Sequence, residues 1–137
     1  MWVGTGLAGV LGMPTQLRYR SLVAWQRADD LFLRLHHLVK DSFPEDERYV
    51  LSTQLRRAAL SVPANIVEGT ARSHHRETLQ FLRISWSSLV EVGYFIHVAR
   101  RLRYISDSTS DLLEGEVRQV AAPLLGLIRR EERMKRP

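Results

Sequence analysis

The chain has 137 residues, a formal net charge of +5 and no cysteine, and 45% of its residues are hydrophobic. This length is typical of one domain, and this apolar fraction is enough to form a core. Without cysteine, the chain has no disulfide, no thiolate metal site and no thiol chemistry, which is in keeping with a cytoplasmic protein. Arginine supplies 18 of its 20 positive side chains. Arginine suits planar contacts with phosphate, although a GC-rich genome would produce the same bias.

The first 17 residues carry no charge. They lack the positive start of a signal peptide and are too short and too rich in glycine to span a bilayer. We therefore predict a flexible extension over residues 1–21 and no membrane association. If the start codon is over-called, Met13 is the natural start. The remaining chain is predicted to form a bundle domain over residues 22–131 and a charged, frayed tail over residues 132–137.

Hydrophobic residues recur with helical periodicity in four segments, and no segment alternates as a strand does. The predicted helices span about residues 22–42, 44 to 69–72, 75–103 and 109–130. Pro44 is expected to open the second helix, Ser73 to cap the third, and Ser108 with Asp111 to form a capping box at the fourth. Short connections between four amphipathic helices predict an all-α, antiparallel, up-down-up-down four-helix bundle.

The stretch SVPANIVEG, residues 61–69, carries polar side chains in a helix that is otherwise apolar nearly all round. At 100° per residue, five polar residues form one stripe along this second helix: Gln54, Arg57, Ser61, Asn65 and Glu68. Buried polar groups need partners, so we expect a buried polar seam paired with another helix or another subunit. Glu91 of the third helix is the candidate partner of Arg57. Pro63 predicts a kink near residues 59–60.

Three interpretations of this seam stay open: a structural network, a binding site for a ligand or partner, and an active site. The histidines occur as His36-His37, His74-His75 and a lone His97, and adjacent histidines point about 100° apart on a helix, which is poor metal geometry. The chain has no Glu-x-x-His pair, no His-Glu-x-x-His, no Gly-x-Ser-x-Gly and no P-loop. We therefore expect no enzymatic activity, no catalytic residue, no metal and no cofactor.

The third helix has an apolar arc of roughly 260°, against roughly 100° for an ordinary surface helix. A bundle of this size cannot cover such an arc, so we expect a homo-oligomer. The remaining stripe is rich in arginine, and it is either a solvated face or a ridge that contacts phosphates and stacks on bases. The candidate nucleic-acid-binding residues in this region are Arg76, Arg83, Tyr94, Arg100, Arg101 and Arg103.

Four stretches resemble the small bacterial four-helix-bundle proteins encoded in intervening sequences of 23S ribosomal RNA genes, also labelled S23 ribosomal proteins. These stretches are LVAWQRADDLF, FPEDERYVLSTQLRRAALSVPANIVEGTAR, FLRISWSSLVEV and LLGLIRR, within residues 22–130. The resemblance implies a ring-like oligomer, often a pentamer, without enzymatic activity, and the polar motif residues of the family fall on the seam. Ser87, where the family often has glycine, and Pro123, within the last helix, depart from the pattern.

One branch of that family serves as the accessory protein of diversity-generating retroelements and contacts a reverse transcriptase and nucleic acid. Residues and resemblance together predict a non-enzymatic oligomer that binds RNA or DNA, or that accompanies a nucleic-acid enzyme. The alternative is a scaffold for another protein, with no role in nucleic-acid binding.

Overall fold

The computed structural model describes residues 15–46 and 50–135. These residues form a short 3-10 helix, Thr15–Ser21, followed by four α-helices, and none of them lies in a strand. The α-helices are α1 (Val23–Ser42), α2 (Leu51–Thr70), α3 (His75–Arg101) and α4 (Asp107–Lys135). Helix α2 packs against α1 and α3, and α4 packs against α3 and α1. The prediction of an all-α, four-helix fold is confirmed.

Each helix contributes one buried apolar stripe to a shared core. The largest fully buried side chains include two from each helix: Leu31, Leu35, Leu55, Ile66, Leu82, Ile96, Leu113 and Leu124. Their removal from water is the main favourable term in folding. No helix among the described residues combines the length and apolarity needed to span a bilayer.

Helix α2 begins at Leu51, so the predicted start at Pro44 is wrong. Pro44 follows Phe43, which is the C-terminal cap of α1. The ring of Phe43 is buried, and its centroid lies 5.4 Å from that of the Tyr104 ring. Proline is common directly after a helix because it cannot continue one. Pro44 therefore marks the end of α1, and residues 45–46 form a short 3-10 turn.

The predicted caps of the last two helices are also wrong by one or two residues. His74 is the N-cap of α3, and its side chain makes no capping hydrogen bond. At the start of α4, the backbone N–H of Thr109 donates to Ser106 Oγ over 3.1 Å, so Ser106 takes the capping role expected of Ser108. Arg103, with φ of 63°, turns the chain after α3 in the left-handed conformation common at helix ends.

Helix α2 runs without interruption through Pro63, which is buried inside it. The kink at Pro63 stays a prediction. Helix α4 continues to Lys135, five residues past its predicted end.

Part of the predicted N-terminal extension packs against the bundle. The 3-10 helix contacts α1 and α2, and the Tyr19 ring meets Trp25 edge-on with 4.7 Å between centroids. Gln26 Nε2 also donates to the backbone carbonyl of Arg20 over 2.8 Å. The prediction for residues 1–14 lies outside the described residues.

Candidate nucleic-acid interface and polar groove

The outward face of α3 presents a stripe of exposed cationic and aromatic side chains, here called the α3 ridge: Arg76, Arg83, Tyr94 and Arg101. Tyr94 is 62% exposed, and its ring stacks on His97 with 6.4 Å between centroids. The ridge extends about 37 Å along the helix at 1.5 Å per residue. The structure therefore places four of the six candidate nucleic-acid-binding residues on one face.

The arginines of the α3 ridge differ in whether a carboxylate already neutralises them. Arg83 Nη2 lies 3.2 Å from Glu132 Oε1 of α4. Arg76 and Arg101 form no ion pair with any described residue. These two arginines are the ridge cations that remain available to an external anion.

Arg100 and Arg103 lie apart from the ridge, at the turn between α3 and α4. Arg100 Nε is 3.0 Å from Asp107 Oδ1, and Arg103 Nη1 is 3.9 Å from the same oxygen. Arg100 also points about 100° away from Arg101 around the helix axis. The six candidates thus divide into a ridge and a turn cluster centred on Asp107.

Small polar side chains join α2 to α3 in the middle of the predicted seam. Ser61 Oγ and Ser88 Oγ are 2.7 Å apart, and Asn65 Nδ2 donates to both the Ser61 carbonyl and Ser61 Oγ over 2.8 and 2.9 Å. Ser85 is fully buried and donates to the Val62 carbonyl over 2.8 Å. Ser85 and Ser88 were not predicted, although their three-residue spacing within an apolar stretch was a visible signal.

The charged members of the seam are exposed in the single chain, so their burial against another subunit stays a prediction. Glu68 Oε2 pairs with Arg72 Nη2, only four residues away, over 3.2 Å. Arg57 and Glu91 line one groove of about 320 Å³ together with Gln54, and neither forms an ion pair with a described residue. Arg57, Glu68 and Glu91 lie on the outer side of the α2–α3 pair, away from the apolar core.

A second charged cluster fastens α1 to α4. Arg34 Nη1 lies 2.6 Å from Glu116 Oε1, and Arg27 Nη1 donates to the Gln119 carbonyl over 2.9 Å. Burial raises the pKa of Glu116, Arg34 opposes that rise, and Asp30 adds to it. These contacts are of the kind that hold two helices in register.

The histidines form no evident metal centre. Within residues 15–46 and 50–135, no group of three or more histidine or acidic side chains could hold a metal ion. His75 Nδ1 instead contacts Glu131 Oε2 and so links the start of α3 to the last turns of α4.

The fold and this surface define a small all-α protein, a four-helix bundle with a cationic outer helix and a polar seam between α2 and α3. The sequence model of the family described as "23S rRNA-intervening sequence protein" matches residues 20–126. The chain therefore belongs to this family.

A solved structure supports the same fold. The chain is similar to a protein of unknown function from the S23 ribosomal protein family of Bacteroides thetaiotaomicron VPI-5482, with 21% sequence identity and a TM-score of 0.73. The similarity covers 78% of this chain and 96% of that one. A search of curated proteins found no match.

Proposed function

We propose that this protein is a non-enzymatic, homo-oligomeric bundle that binds RNA or DNA, or accompanies a nucleic-acid enzyme, through the α3 ridge. The observation that carries the proposal is the exposure of Arg76 and Arg101, without ion pairs among the described residues, on the same face as exposed Tyr94. Arginines contact phosphates, and an exposed aromatic ring can stack on a base. A symmetric assembly would repeat the ridge in each copy.

Exposed apolar side chains support the homo-oligomer. Leu60 on α2 and Ile84 on α3 are each about half exposed. Arg57 and Glu91, in the groove between these helices, offer charges that a second copy could pair. The ring-like arrangement of five copies rests on the family resemblance.

Hydrogen bonds between α2 and α3 support the antiparallel order of the proposed bundle. Ser61 meets Ser88, and Gly69, further along α2, meets Thr78, which comes earlier in α3. Residue numbers thus rise along one helix as they fall along its neighbour.

The second candidate function is a scaffold for another protein. It is favoured by the pairing of Arg83 with Glu132 and by exposed Val90, which interrupts the ridge. These features reduce the charge and add apolar surface, and depletion of charge is typical of the core of a protein interface.

The test measures binding of fluorescent single strands and duplexes of RNA and DNA over a salt series, on samples sized by light scattering. We expect Arg76→Gln with Arg101→Gln to weaken binding at least about tenfold. The slope of log affinity against log salt concentration should fall by about two for each copy engaged, about one for each phosphate contact removed. The matched control is Arg118→Gln with Arg129→Gln, two exposed arginines on α4.

Equal binding by the ridge variant and the control would contradict the assignment of the α3 ridge. No binding by the unmodified protein even at low salt would favour the protein scaffold.

A further inference from the structure

A cavity of about 500 Å³ opens at the end of the bundle where α2 ends and α3 begins. Its walls come from the 3-10 helix, the α2–α3 connection, the start of α3 and the last turns of α4. The volume lies within the range of about 300–1,000 Å³ that is typical of small-molecule sites. None of the α3 ridge residues lines it.

This cavity is lined by more positive than negative side chains. Among the described residues, three arginines from three separate segments line it, Arg18, Arg72 and Arg130, together with one carboxylate, Glu131. That carboxylate is already engaged by His75. The cavity therefore has cationic donors in excess and favours an anion.

Two of the three arginines are available to bind one, and the third is already paired with a carboxylate. Arg18 and Arg130 form no ion pair with any described residue. Arg72 shares the exposed carboxylate of Glu68, and its guanidinium lies 4.8 Å from the centre of the Phe81 ring, which restricts its orientation. Guanidinium groups bind phosphate through paired, charge-assisted hydrogen bonds.

Two half-buried apolar side chains, Leu22 and Leu127, line the same cavity beside these cations. An inorganic anion would leave this surface uncovered. A ligand that joins a compact, highly charged anion to a flat ring would satisfy both parts of the cavity. Nucleotides combine these two groups.

We propose that this cavity binds the terminal phosphate of a nucleotide, either a free mononucleotide or the 5′ end of a strand. A terminal phosphate carries about −1.5 to −2 charges near neutral pH, more than an internal phosphodiester, and so gains more from three arginines. The site is separate from the α3 ridge, so the inference does not rest on the proposed function.

The test titrates the intact protein with adenosine 5′-monophosphate in a calorimeter, with adenosine as the ligand that lacks phosphate. We expect Arg18→Gln and Arg130→Gln each to weaken binding of the monophosphate at least about tenfold, the effect of 1.4 kcal/mol. Arg129→Gln is the matched control, since Arg129 is exposed on the same helix and does not line the cavity. It should stay within about twofold of the unmodified protein.

Two oligonucleotides of one sequence, with 5′-phosphate or 5′-hydroxyl ends, distinguish the two sources of phosphate. A preference for the phosphorylated strand indicates a strand end, whereas binding of the monophosphate with no such preference indicates a free nucleotide. The absence of any phosphate-dependent binding, or unchanged binding by both Arg18→Gln and Arg130→Gln, would overturn the proposal. The ridge variant Arg76→Gln with Arg101→Gln should still bind the monophosphate, so failure at one surface is distinguishable from failure at the other.

Discussion

At the scale of single residues, serine and asparagine side chains decide how α2 meets α3. Ser61, Asn65 and Ser88 satisfy one another at 2.7 to 2.9 Å, so polar groups in the middle of the α2–α3 contact are not left without partners. Ser85, which is fully buried, reaches the Val62 carbonyl one residue before Pro63. These hydroxyls are short enough to bond without separating the helices.

Glu68→Ala tests whether the charged end of the seam is buried in an assembly. The Glu68 side chain is 57% exposed and pairs with nearby Arg72, so we expect a loss of less than about 1 kcal/mol in the free energy of unfolding. Urea denaturation at two protein concentrations measures this loss. A loss of about 3 kcal/mol or more would show that a second copy buries the carboxylate against a charged partner.

Asp29→Asn tests a half-buried carboxyl on α1. Burial raises the pKa of Asp29 above 3.8, and neighbouring Asp30 raises it further. A carboxyl whose pKa is higher in the folded state contributes stability below 3.8 and loses that contribution as pH rises through the raised value. We therefore expect Asp29→Asn to increase the free energy of unfolding at neutral pH and to leave it unchanged well below the ordinary pKa. Thermal unfolding across this pH range checks the sign, and a loss of stability at neutral pH would contradict it.

At the scale of elements, the approach of α2 to α3 depends on glycine near the end of α2. A Cβ atom at Gly69 would lie 3.3 Å from both Phe81 Cβ and the Thr78 carbonyl oxygen. The Thr78 hydroxyl also donates to the Gly69 carbonyl over 2.9 Å, which holds the two helices at this distance. Gly69 and Gly93 both lie within helices, so the sequence alone does not distinguish them. The contacts that a Cβ atom would make at each position do.

Alanine substitution at the two glycines should have opposite effects. Gly69→Ala must displace a neighbouring backbone, so we expect it to destabilise the fold by about 1–3 kcal/mol. At Gly93, in the middle of α3, a Cβ atom would have no neighbour within 4 Å. Gly93→Ala should therefore stabilise the protein by about 0.5–1 kcal/mol through helix propensity alone. Chemical denaturation of both variants measures the difference, and equal effects would show that the close approach at Gly69 is not restrictive.

At the scale of the whole molecule, the single chain leaves apolar surface uncovered on every helix. Exposed large apolar side chains include Leu33 on α1, Leu60 on α2, Ile84 on α3 and Leu112 on α4. Isolated examples are normal, but Leu60 and Ile84 belong to neighbouring helices. The groove between these helices also holds Arg57 and Glu91, which form no ion pair within the described part of the chain. This combination favours the α2–α3 face as the interface of the proposed oligomer.

Ile84→Glu should disrupt that oligomer, because a charge would be buried at the interface without a partner. The matched control is Leu33→Glu on α1, since Leu33 is 47% exposed and Ile84 is 48% exposed. Light scattering over a dilution series measures the mass of both variants. We expect a smaller mass for Ile84→Glu alone, and equal masses would remove the α2–α3 face as the interface.

The sequence predicted the helices better than their ends. Amphipathic periodicity located α1 to within one residue of its start, whereas the start of α2 was misplaced because Pro44 suits both the beginning of a helix and the position after one. The single chain buries the small polar residues of the seam more than its charged ones, and burial of the charged ones against another subunit stays a prediction. The periodicity of one helix shows which of its residues share a side. It does not show which side a neighbouring helix or subunit covers.

Periodicity within single helices was enough to predict the class of the fold, the polar stripe on α2 and the ridge of arginines on α3. The packing of the helices was needed to show which arginines are already paired, as with Arg83 and Glu132, which are 49 positions apart. It also brought Arg18, Arg72 and Arg130 from three segments to one cavity. Such pairings depend on how helices pack in space, and no local pattern in the chain encodes the distance between side chains on different helices.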